Sequence, residues 1–372
     1  MDEVQLAERL IAYDTSRGSG IGLATDFVAG WLEASGAEVR RLSLEGRQCL
    51  IAGVGSGTTK ILLHGHLDVV PGHPKQFVPR RSGDKLLGRG AYDMKGALGA
   101  MMLALADLAH SHPPSGVRVE LVVVPDEERA EPGANCTEMM VTEGLRGDFV
   151  ICGEPTEFQV GVQAKGVLML RADVPGHAAH GSTPWLGENA ILRAVRFYEA
   201  IERLPFARES SELFDRPSVN LGRMSGGDAI NKVPDACRAD IDIRYLPEQR
   251  PNEILTEIRG LDPDVSIEIL IERPPAYVSS RHPLVESLLD AAGRYEPTAT
   301  AVGRDGASDA VAFLAVGVPA VEFGPCGGGH HGPEEHVDLA SLGHYRRALV
   351  DFVRQVPAPK VREADQTIAG GQ

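Results

Sequence analysis

The sequence has few cysteines and too little positive charge to balance its acids. Its 372 residues include five cysteines, which are scattered and never form a CxxC pair. Neither a disulfide framework nor a thiolate zinc site is therefore expected, and any metal site must use histidine and carboxylate. The formal net charge is -15. Because nucleic-acid binding needs lysine and arginine to displace counterions from phosphates, this charge disfavours a nucleic-acid partner.

Long apolar runs are also missing. Nowhere does the chain reach the roughly 18 consecutive apolar residues of a membrane-spanning helix. The first segment, MDEVQLAERLIAYDTS, is acidic and helically periodic, without the apolar core of a signal peptide. We therefore expect a soluble cytoplasmic protein with no membrane partner. We expect the polar tail, residues 358–372, to be disordered.

The chain does have the material for a sizeable core. Its hydrophobic content is 43%, and its length suggests two domains. Apolar runs of strand length occupy residues 60–65, 118–124, 148–152 and 318–323, and helical patterns such as 94–110 lie between them. This alternation predicts an α/β fold with a mostly parallel sheet covered by helices.

The middle of the chain has a different order of predicted strands and helices. From about residue 160 to residue 275 the pattern is strand, helix, strand, strand, helix, strand. This order predicts a small ferredoxin-like βαββαβ domain inserted into the larger one. We assign residues 1–162 and 279–357 to the larger domain and residues 163–278 to the insertion.

Acidic or imidazole side chains follow each of the four apolar runs. They are His66 with Asp68, the acids from Asp126 to Glu128, Glu154, and His330 with His331. In open α/β sheets the ligand site lies beyond the carboxyl ends of the strands. We therefore expect these groups to converge although they are distant in sequence.

Each group also has a simpler interpretation. His66 and Asp68 could be hydrogen-bonded residues at a strand end, and Asp93 in GRGAYDMKG could be a helix N-cap. Glu127 and Glu128 could lie in a solvated loop, although neighbouring carboxylates at a buried sheet edge repel unless a cation or proton separates them. Together, two imidazoles and three or four carboxylates suit two zinc ions that share a carboxylate and activate water for hydrolysis. Cobalt and manganese accept the same ligands.

Six motifs resemble, in this order, the signature blocks of the dinuclear zinc exopeptidase and deacylase family. They are HGHLDVVP, GRGAYDMKG, PDEE, GEPT, GHAAHGSTPWLGENAI and HHGPEE, and they cover nearly the whole chain. The family includes succinyl-diaminopimelate desuccinylase, acetylornithine deacetylase, aminoacylase and glutamate carboxypeptidase. The resemblance implies that the larger domain is catalytic and that the insertion is a lid through which the chain forms a homodimer.

The resemblance also implies a ligand set for two divalent ions, most favourably zinc. One ion would be bound by His66, Asp93 and Glu154. The other would be bound by Asp93, Glu128 and His331, so that Asp93 bridges the two.

Further roles follow from the same motifs. Glu127 would be the general base, which takes a proton from the metal-activated water and passes it to the leaving amine. Asp68 would hold the imidazole of His66. His331 is chosen over His330 because it opens the pattern His, any residue, Pro, any residue, Glu, although His330 stays an alternative.

Substrate contacts are implied in the insertion. His180 would polarise the substrate carbonyl, and the spacing of the motif favours it over His177. Arg244 and Asn231 occupy blocks that in the family contact the substrate carboxylate, for which a guanidinium has suitable geometry. The loop RDGASDA, residues 304–310, matches a substrate-facing segment, but no role is assigned to it.

Three functions compete at this point. The first is hydrolysis of the amide bond of a small N-acyl amino acid. The second is a dipeptidase or carboxypeptidase with the same dinuclear site. The third is a metal-binding or ligand-binding homologue without catalysis, which Glu127 disfavours because it has no ligand role in this scheme. No residue of the sequence identifies the acyl group.

Overall fold

The structure is a computed structural model that describes residues 1–128, 133–306 and 308–357. The predicted disordered tail and Ala307 of the RDGASDA loop lie outside the described residues. The chain folds into two compact units. Unit 1 comprises Met1–Val160, Arg281–Thr300 and the described part of Val316–Gln372, and unit 2 comprises Gly161–Ser280 and Ala301–Ala315.

Helices and strands alternate along most of the described chain. The α-helices are α1 Glu3–Ile11, α2 Gly18–Ala34, α3 Gly96–Ser111, α4 Cys136–Thr142, α5 Ala190–Ile201, α6 Pro251–Leu261, α7 Pro283–Gly293, α8 Ala310–Leu314 and α9 Leu339–Gln355. The strands are β1 Glu38–Leu44, β2 Arg47–Gly55, β3 Thr59–His66, β4 Arg80–Ser82, β5 Lys85–Leu87, β6 Val117–Val124, β7 Phe149–Cys152, β8 Val160–Ala164, β9 Gly166–Pro175, β10 Ser218–Gly226, β11 Ala236–Tyr245, β12 Ser266–Arg273, β13 Ala276–Tyr277, β14 Ala301–Arg304, β15 Ala320–Phe323, β16 Gly327–Gly328 and β17 His336–Asp338. Among the described helices, none combines the length and the hydropathy that crossing a lipid bilayer requires.

The main sheet of unit 1 has the strand order β1-β2-β6-β3-β7-β15. Strands β6, β3, β7 and β15 run parallel to one another, and they contain the four apolar runs. Strands β1 and β2 pair antiparallel at one edge, and β2 is also antiparallel to β6. The prediction of parallel strands at the four apolar runs is therefore confirmed.

Burial explains why these runs are continuously apolar. All residues of β7 and β15 are buried, as expected for strands that are covered on both faces. Helix α3 packs against β3 and β6 on one side and against α1 and α9 on the other. Because the sheet is fixed by this packing, the carboxyl ends of its parallel strands form a rigid edge on which side chains can be positioned.

A second, small sheet of unit 1 positions the last motif. Its order is β16-β17-β5-β4, and β16 pairs antiparallel with β17. Residues 329–335, which contain His330 and His331, therefore form the loop of a hairpin. Strand β17 also pairs with β5, so this loop is held beside the segment that leads to Asp93.

Unit 2 contains the elements β9, α5, β10, β11, α6 and β12, in the predicted order of strands and helices. Its antiparallel sheet has the order β10-β11-β9-β12. Apolar side chains of β9 and β11, such as Leu170 and Ile241, pack in one core with those of α5 and α6. Because side chains alternate along a strand, the other face is polar, and on it Arg171 pairs with Asp240 at 2.8 Å.

Two features of unit 2 differ from the sequence prediction. The first strand of the predicted βαββαβ pattern is instead two strands, β8 and β9, that are separated at Lys165. Residues 301–315, which we assigned to the larger domain, fold with unit 2. The physical reason is that β14 pairs with β8 and that Asp305 forms a 2.7 Å ion pair with Lys165.

Candidate metal centre

Imidazoles and carboxylates converge at the carboxyl ends of the parallel strands of unit 1. His66, the last residue of β3, is fully buried. Its Nε2 lies 3.1 Å from Asp93 Oδ1 and 3.7 Å from Glu154 Oε1, beyond the end of β7. The ligand atoms of these three residues lie within 4.8 Å of one another, which is close enough to hold one metal ion.

The second oxygen of Asp93 faces the hairpin loop. Asp93 Oδ2 lies 3.2 Å from His331 Nε2 and 2.6 Å from His330 Nε2. His331 Nε2 is also 2.9 Å from Glu128 Oε1. The two oxygens of Asp93 therefore face different imidazoles, and the carboxylate lies between two groups of potential ligands.

Asp93 does not act as the helix cap of the simpler interpretation. Helix α3 begins at Gly96 and its N-cap residue is Lys95, which makes no side-chain capping bond. Asp93 lies in the irregular turn before the helix, with φ -120° and ψ 100°, and its peptide bond to Met94 is cis. Its carboxylate faces the imidazoles of His66 and His331.

A buried ion pair that the sequence analysis did not identify holds this segment. Arg89 and Glu335 are both almost fully buried, and Arg89 Nη1 donates to Glu335 Oε2 at 2.5 Å. Glu335 Oε1 accepts from the main-chain N–H groups of Tyr92 and Asp93, both at 3.2 Å. Arg89 Nη2 donates to the carbonyl of His331 at 2.9 Å. The sequence gives little indication of this pair: Arg89 lies between two glycines, and Glu335 follows another glutamate.

Asp68 holds the imidazole of His66 through its main-chain carbonyl and not, as expected, through its carboxylate. His66 Nδ1 donates to the main-chain carbonyl of Asp68 at 2.9 Å, whereas the nearer carboxylate oxygen is 3.6 Å away. The carboxylate instead accepts from the N–H groups of Glu127 and Glu128, at 3.1 and 2.8 Å. The side chain is turned this way because β3 has ended at His66, so the strand alternation on which the prediction relied no longer applies.

The acids that follow β6 divide into different environments. Asp126 is turned away from the imidazoles and binds Arg47 at 2.5 Å. Glu128 has 11% of its side chain exposed and contacts His331, while Glu127 is 31% exposed and lies 4.0 Å from His66 Nε2. Glu127 is thus the carboxylate at this edge that is more open to solvent.

The electrostatics of the cluster fit a bound cation. His66 Nδ1 donates to a carbonyl, so Nε2 faces the carboxylates of Asp93 and Glu154, and a lone pair there would be repelled unless a proton or metal ion lies between them. Burial lowers the pKa of His66, but the neighbouring carboxylates hold that pKa well above its usual value, so a proton occupies this position when no ion does. Burial and the neighbouring charge of Asp93 raise the pKa of Glu128 to about 7. The hydrogen bond to Asp93 raises the pKa of His331 to about 9, although burial opposes this. Nitrogen and oxygen ligands of this kind suit zinc, cobalt or manganese.

The other imidazole of the HGH motif is not part of this cluster. His64 is fully buried and its Nε2 lies 2.8 Å from the hydroxyl of Thr137. Burial lowers its pKa to about 3, so the ring is neutral. His64 is therefore a buried structural residue and not a candidate metal ligand.

The predicted substrate contacts all lie in unit 2. His180 and Asn231 are neighbours, since Gly181 N donates to the carbonyl of Asn231 at 2.7 Å. Arg244 lies at the opposite end of β11 from the loop that carries Asn231, and its guanidinium binds Asp242 at 2.9 and 3.1 Å. The structure thus brings His180 and Asn231 together and leaves Arg244 apart from them.

Comparisons with known proteins agree with this geometry. The model of peptidase family M20/M25/M40 matches residues 62–355. The succinyl-diaminopimelate desuccinylase of Methylobacterium sp. (strain 4-46) is 30% identical over 382 residues, which cover 92% of this chain and 94% of that protein. The acetylornithine deacetylase of Proteus mirabilis is 29% identical over 357 residues, which cover 88% of this chain and 88% of that protein.

Solved structures share the fold. A tripeptidase from Staphylococcus aureus superimposes with a TM-score of 0.78 over 95% of this chain and 97% of that one, at 20% sequence identity. The family match extends over most of the chain and includes all six motifs in full, so the resemblance seen in the sequence is confirmed. The chain belongs to peptidase family M20/M25/M40.

Proposed function

We propose that the protein hydrolyses the amide bond of a small N-acyl amino acid with the help of two divalent metal ions, most favourably zinc. One observation carries the proposal: the two oxygens of Asp93 face separate groups of imidazole and carboxylate ligands. The relatives named as a desuccinylase and a deacetylase support this substrate class, because both names describe removal of an acyl group from an amino acid. A dipeptidase or carboxypeptidase with the same site is the alternative.

Three distances support the ligand set proposed from the motifs, since His66 lies 3.1 Å from Asp93, and His331 lies 3.2 Å from Asp93 and 2.9 Å from Glu128. His66, Asp93 and Glu154 would hold one ion, and Asp93, Glu128 and His331 would hold the other. Bound ions of this kind lower the pKa of water and polarise a carbonyl group. The main-chain carbonyl of Asp68 would keep the proton of His66 on Nδ1, so that Nε2 is available as a ligand.

Glu127 would be the general base. It would take a proton from the attacking water and deliver it to the nitrogen of the leaving amine as the amide bond breaks. Its position beside the ligand cluster and its greater exposure support this role. The carboxylate of Asp68 would fix its main chain through the N–H groups of Glu127 and Glu128.

His180 would hydrogen-bond the oxyanion that develops on the substrate carbonyl. The main-chain N–H of Ser182 donates to His180 Nδ1 at 3.1 Å, so the neutral ring carries its proton on Nε2. That nitrogen is then a donor, as an oxyanion requires. A donor of this type contributes about 3 kcal/mol to catalysis in other enzymes.

We further propose that unit 2 is a ferredoxin-like lid through which two chains form a homodimer. The observed element order and the strand order β10-β11-β9-β12 support the assignment. Exposed apolar residues, Trp185, Leu186 and Ile230, lie in the two loops that carry His180 and Asn231, as expected for a surface that a partner covers.

The separation of Asn231 and Arg244 also supports a dimer. From Cys237 to Arg244, β11 extends about 23 Å, and Asn231 lies beyond its first end. One chain therefore cannot place both side chains on one small carboxylate, whereas two chains could each provide one of them.

Removal of the metal ions should abolish the activity. We expect purified protein to carry up to two divalent ions per chain, and zinc to restore turnover after chelation, because the proposed ligand atoms converge on the charged carboxylate of Asp93. Amine release should be measured from acetylornithine, succinyl-diaminopimelate, other acyl amino acids and dipeptides. Full activity in protein shown to be metal-free by elemental analysis would contradict the proposal, and activity on dipeptides alone would favour the alternative.

The two adjacent glutamates should respond differently to the same substitution. Glu127→Gln should keep both metal ions and lower kcat by at least ~10²-fold, because it removes the base. Glu128→Gln should weaken the binding of one ion, because it removes a ligand. Metal content and kcat are measured on both variants, and wild-type turnover in Glu127→Gln would show that the base is another residue.

Mixed dimers test whether His180 acts on the site of the partner chain. Glu127→Ala and His180→Ala homodimers should each be nearly inactive. After subunit exchange, half of the dimers are mixed, and each of these has one site with both wild-type groups, so roughly a quarter of wild-type activity should return. Should exchange be demonstrated by mass spectrometry and no activity return, His180 acts within its own chain or has no catalytic role.

A further inference from the structure

His330 is a third imidazole at Asp93, and the ligand set proposed above gives it no role. Its Nε2 lies 2.6 Å from Asp93 Oδ2, and its side chain is 49% exposed. The motif favours His331 as the metal ligand and leaves His330 as an alternative. The distances around Asp93 separate the two.

Ligands of one ion keep a characteristic spacing. Two atoms about 2.1 Å from the same zinc ion lie about 3.0 Å apart at a right angle and about 3.4 Å apart at a tetrahedral angle. His66 and His331, at 3.1 and 3.2 Å from the oxygens of Asp93, fit this spacing. Asp93, His330 and His331 also have ligand atoms within 4.8 Å of one another, but the 2.6 Å from His330 Nε2 to Asp93 Oδ2 is shorter than this spacing and is typical of a short charge-assisted hydrogen bond.

The ring of His330 is also held in place by its neighbours. Tyr92 packs against it in a T-shaped arrangement, with ring centroids 6.1 Å apart and an angle of 86°. The hydroxyl of Tyr92 donates to Glu157. A Cβ atom on Gly327 would lie 2.5 Å from the Tyr92 ring, so the glycine allows Tyr92 to occupy this position. These contacts orient His330 for a specific interaction rather than leave it as a solvated surface residue.

We propose that His330 is a positioning residue that donates its Nε2–H to Asp93 Oδ2 and fixes the orientation of that carboxylate, without binding metal itself. An oxygen with two lone pairs can accept this hydrogen bond and still bind an ion with the other. The proposal rests on the proposed dinuclear function.

The position of the hydrogen bond predicts which ion depends on it. Oδ2 is the oxygen that faces His331, whereas Oδ1 faces His66. Loss of His330 should therefore weaken the ion held with Glu128 and His331 and leave the other ion nearly unchanged. Removing a residue that orients a metal ligand commonly lowers metal affinity by about 10- to 100-fold.

The test compares His330→Ala, His330→Gln and the control His110→Ala, in the last turn of α3. Zinc is titrated into the metal-free proteins in competition with a chromophoric chelator, and the visible spectrum of each cobalt-loaded protein is recorded. We expect His330→Ala to weaken one of two sites by at least ~10-fold. The amide N–H of glutamine reaches a position close to that of histidine Nε2, so His330→Gln should recover most of the lost affinity. Both variants should keep the wild-type cobalt absorption intensity, because the number of ligands is unchanged.

Three results would overturn the proposal. If zinc binding were weakened equally in His330→Ala and His330→Gln, and the cobalt spectrum changed, His330 would be a metal ligand. Wild-type affinity for both ions in His330→Ala would show that the hydrogen bond does not support the site. Wild-type protein that binds no zinc would overturn the proposed function itself, and because the wild type is titrated first, this failure is distinguished from the other two.

Discussion

The carboxylate of Asp93 is the constraint on which the rest of the site depends. It is almost fully buried, and each of its oxygens is directed at a different imidazole. Burial alone would raise its pKa, but the hydrogen bonds from His330, His331 and His66 hold the pKa well below its usual value. A charged carboxylate in this position is stable only if cationic or proton-donating groups surround it on every side. The strand ends of unit 1 supply those groups.

Placing Asp93 requires two chain segments to be held together although they are about two thirds of the sequence apart. The ion pair of Arg89 with Glu335 does this, since it binds the main chain at Asp93 and at His331. Gln76 adds a bond to the carbonyl of Gly332 at 3.0 Å. Hydrogen bonds to main-chain atoms fix the position of the backbone, and the imidazole and carboxylate side chains that it carries are then positioned with little freedom.

The sequence predicted the parts of this arrangement that depend on apolar periodicity. Four continuous apolar runs identify buried parallel strands, and the polar groups after each run identify the edge where a site can form, which is how His66, Glu128 and Glu154 became candidates. Asp93 follows none of these runs and became a candidate only through the motif GRGAYDMKG and the family resemblance. The sequence did not predict that Asp68 holds His66 through its carbonyl, or that Arg89 binds Glu335. Those contacts depend on which main-chain atoms the tertiary fold brings together, and no local pattern encodes them. The assignment of residues 301–315 to the larger domain failed for a similar reason, because only the pairing of β14 with β8 places them in unit 2.

The central claim is that two metal ions share Asp93. Anomalous X-ray diffraction from crystals of the zinc-loaded protein, recorded on both sides of the zinc absorption edge, tests it most directly. We predict two anomalous peaks per chain, one beside His66 and Glu154 and the other beside Glu128 and His331, with Asp93 in contact with both. A single peak, or a second peak that does not contact Asp93, would contradict the claim.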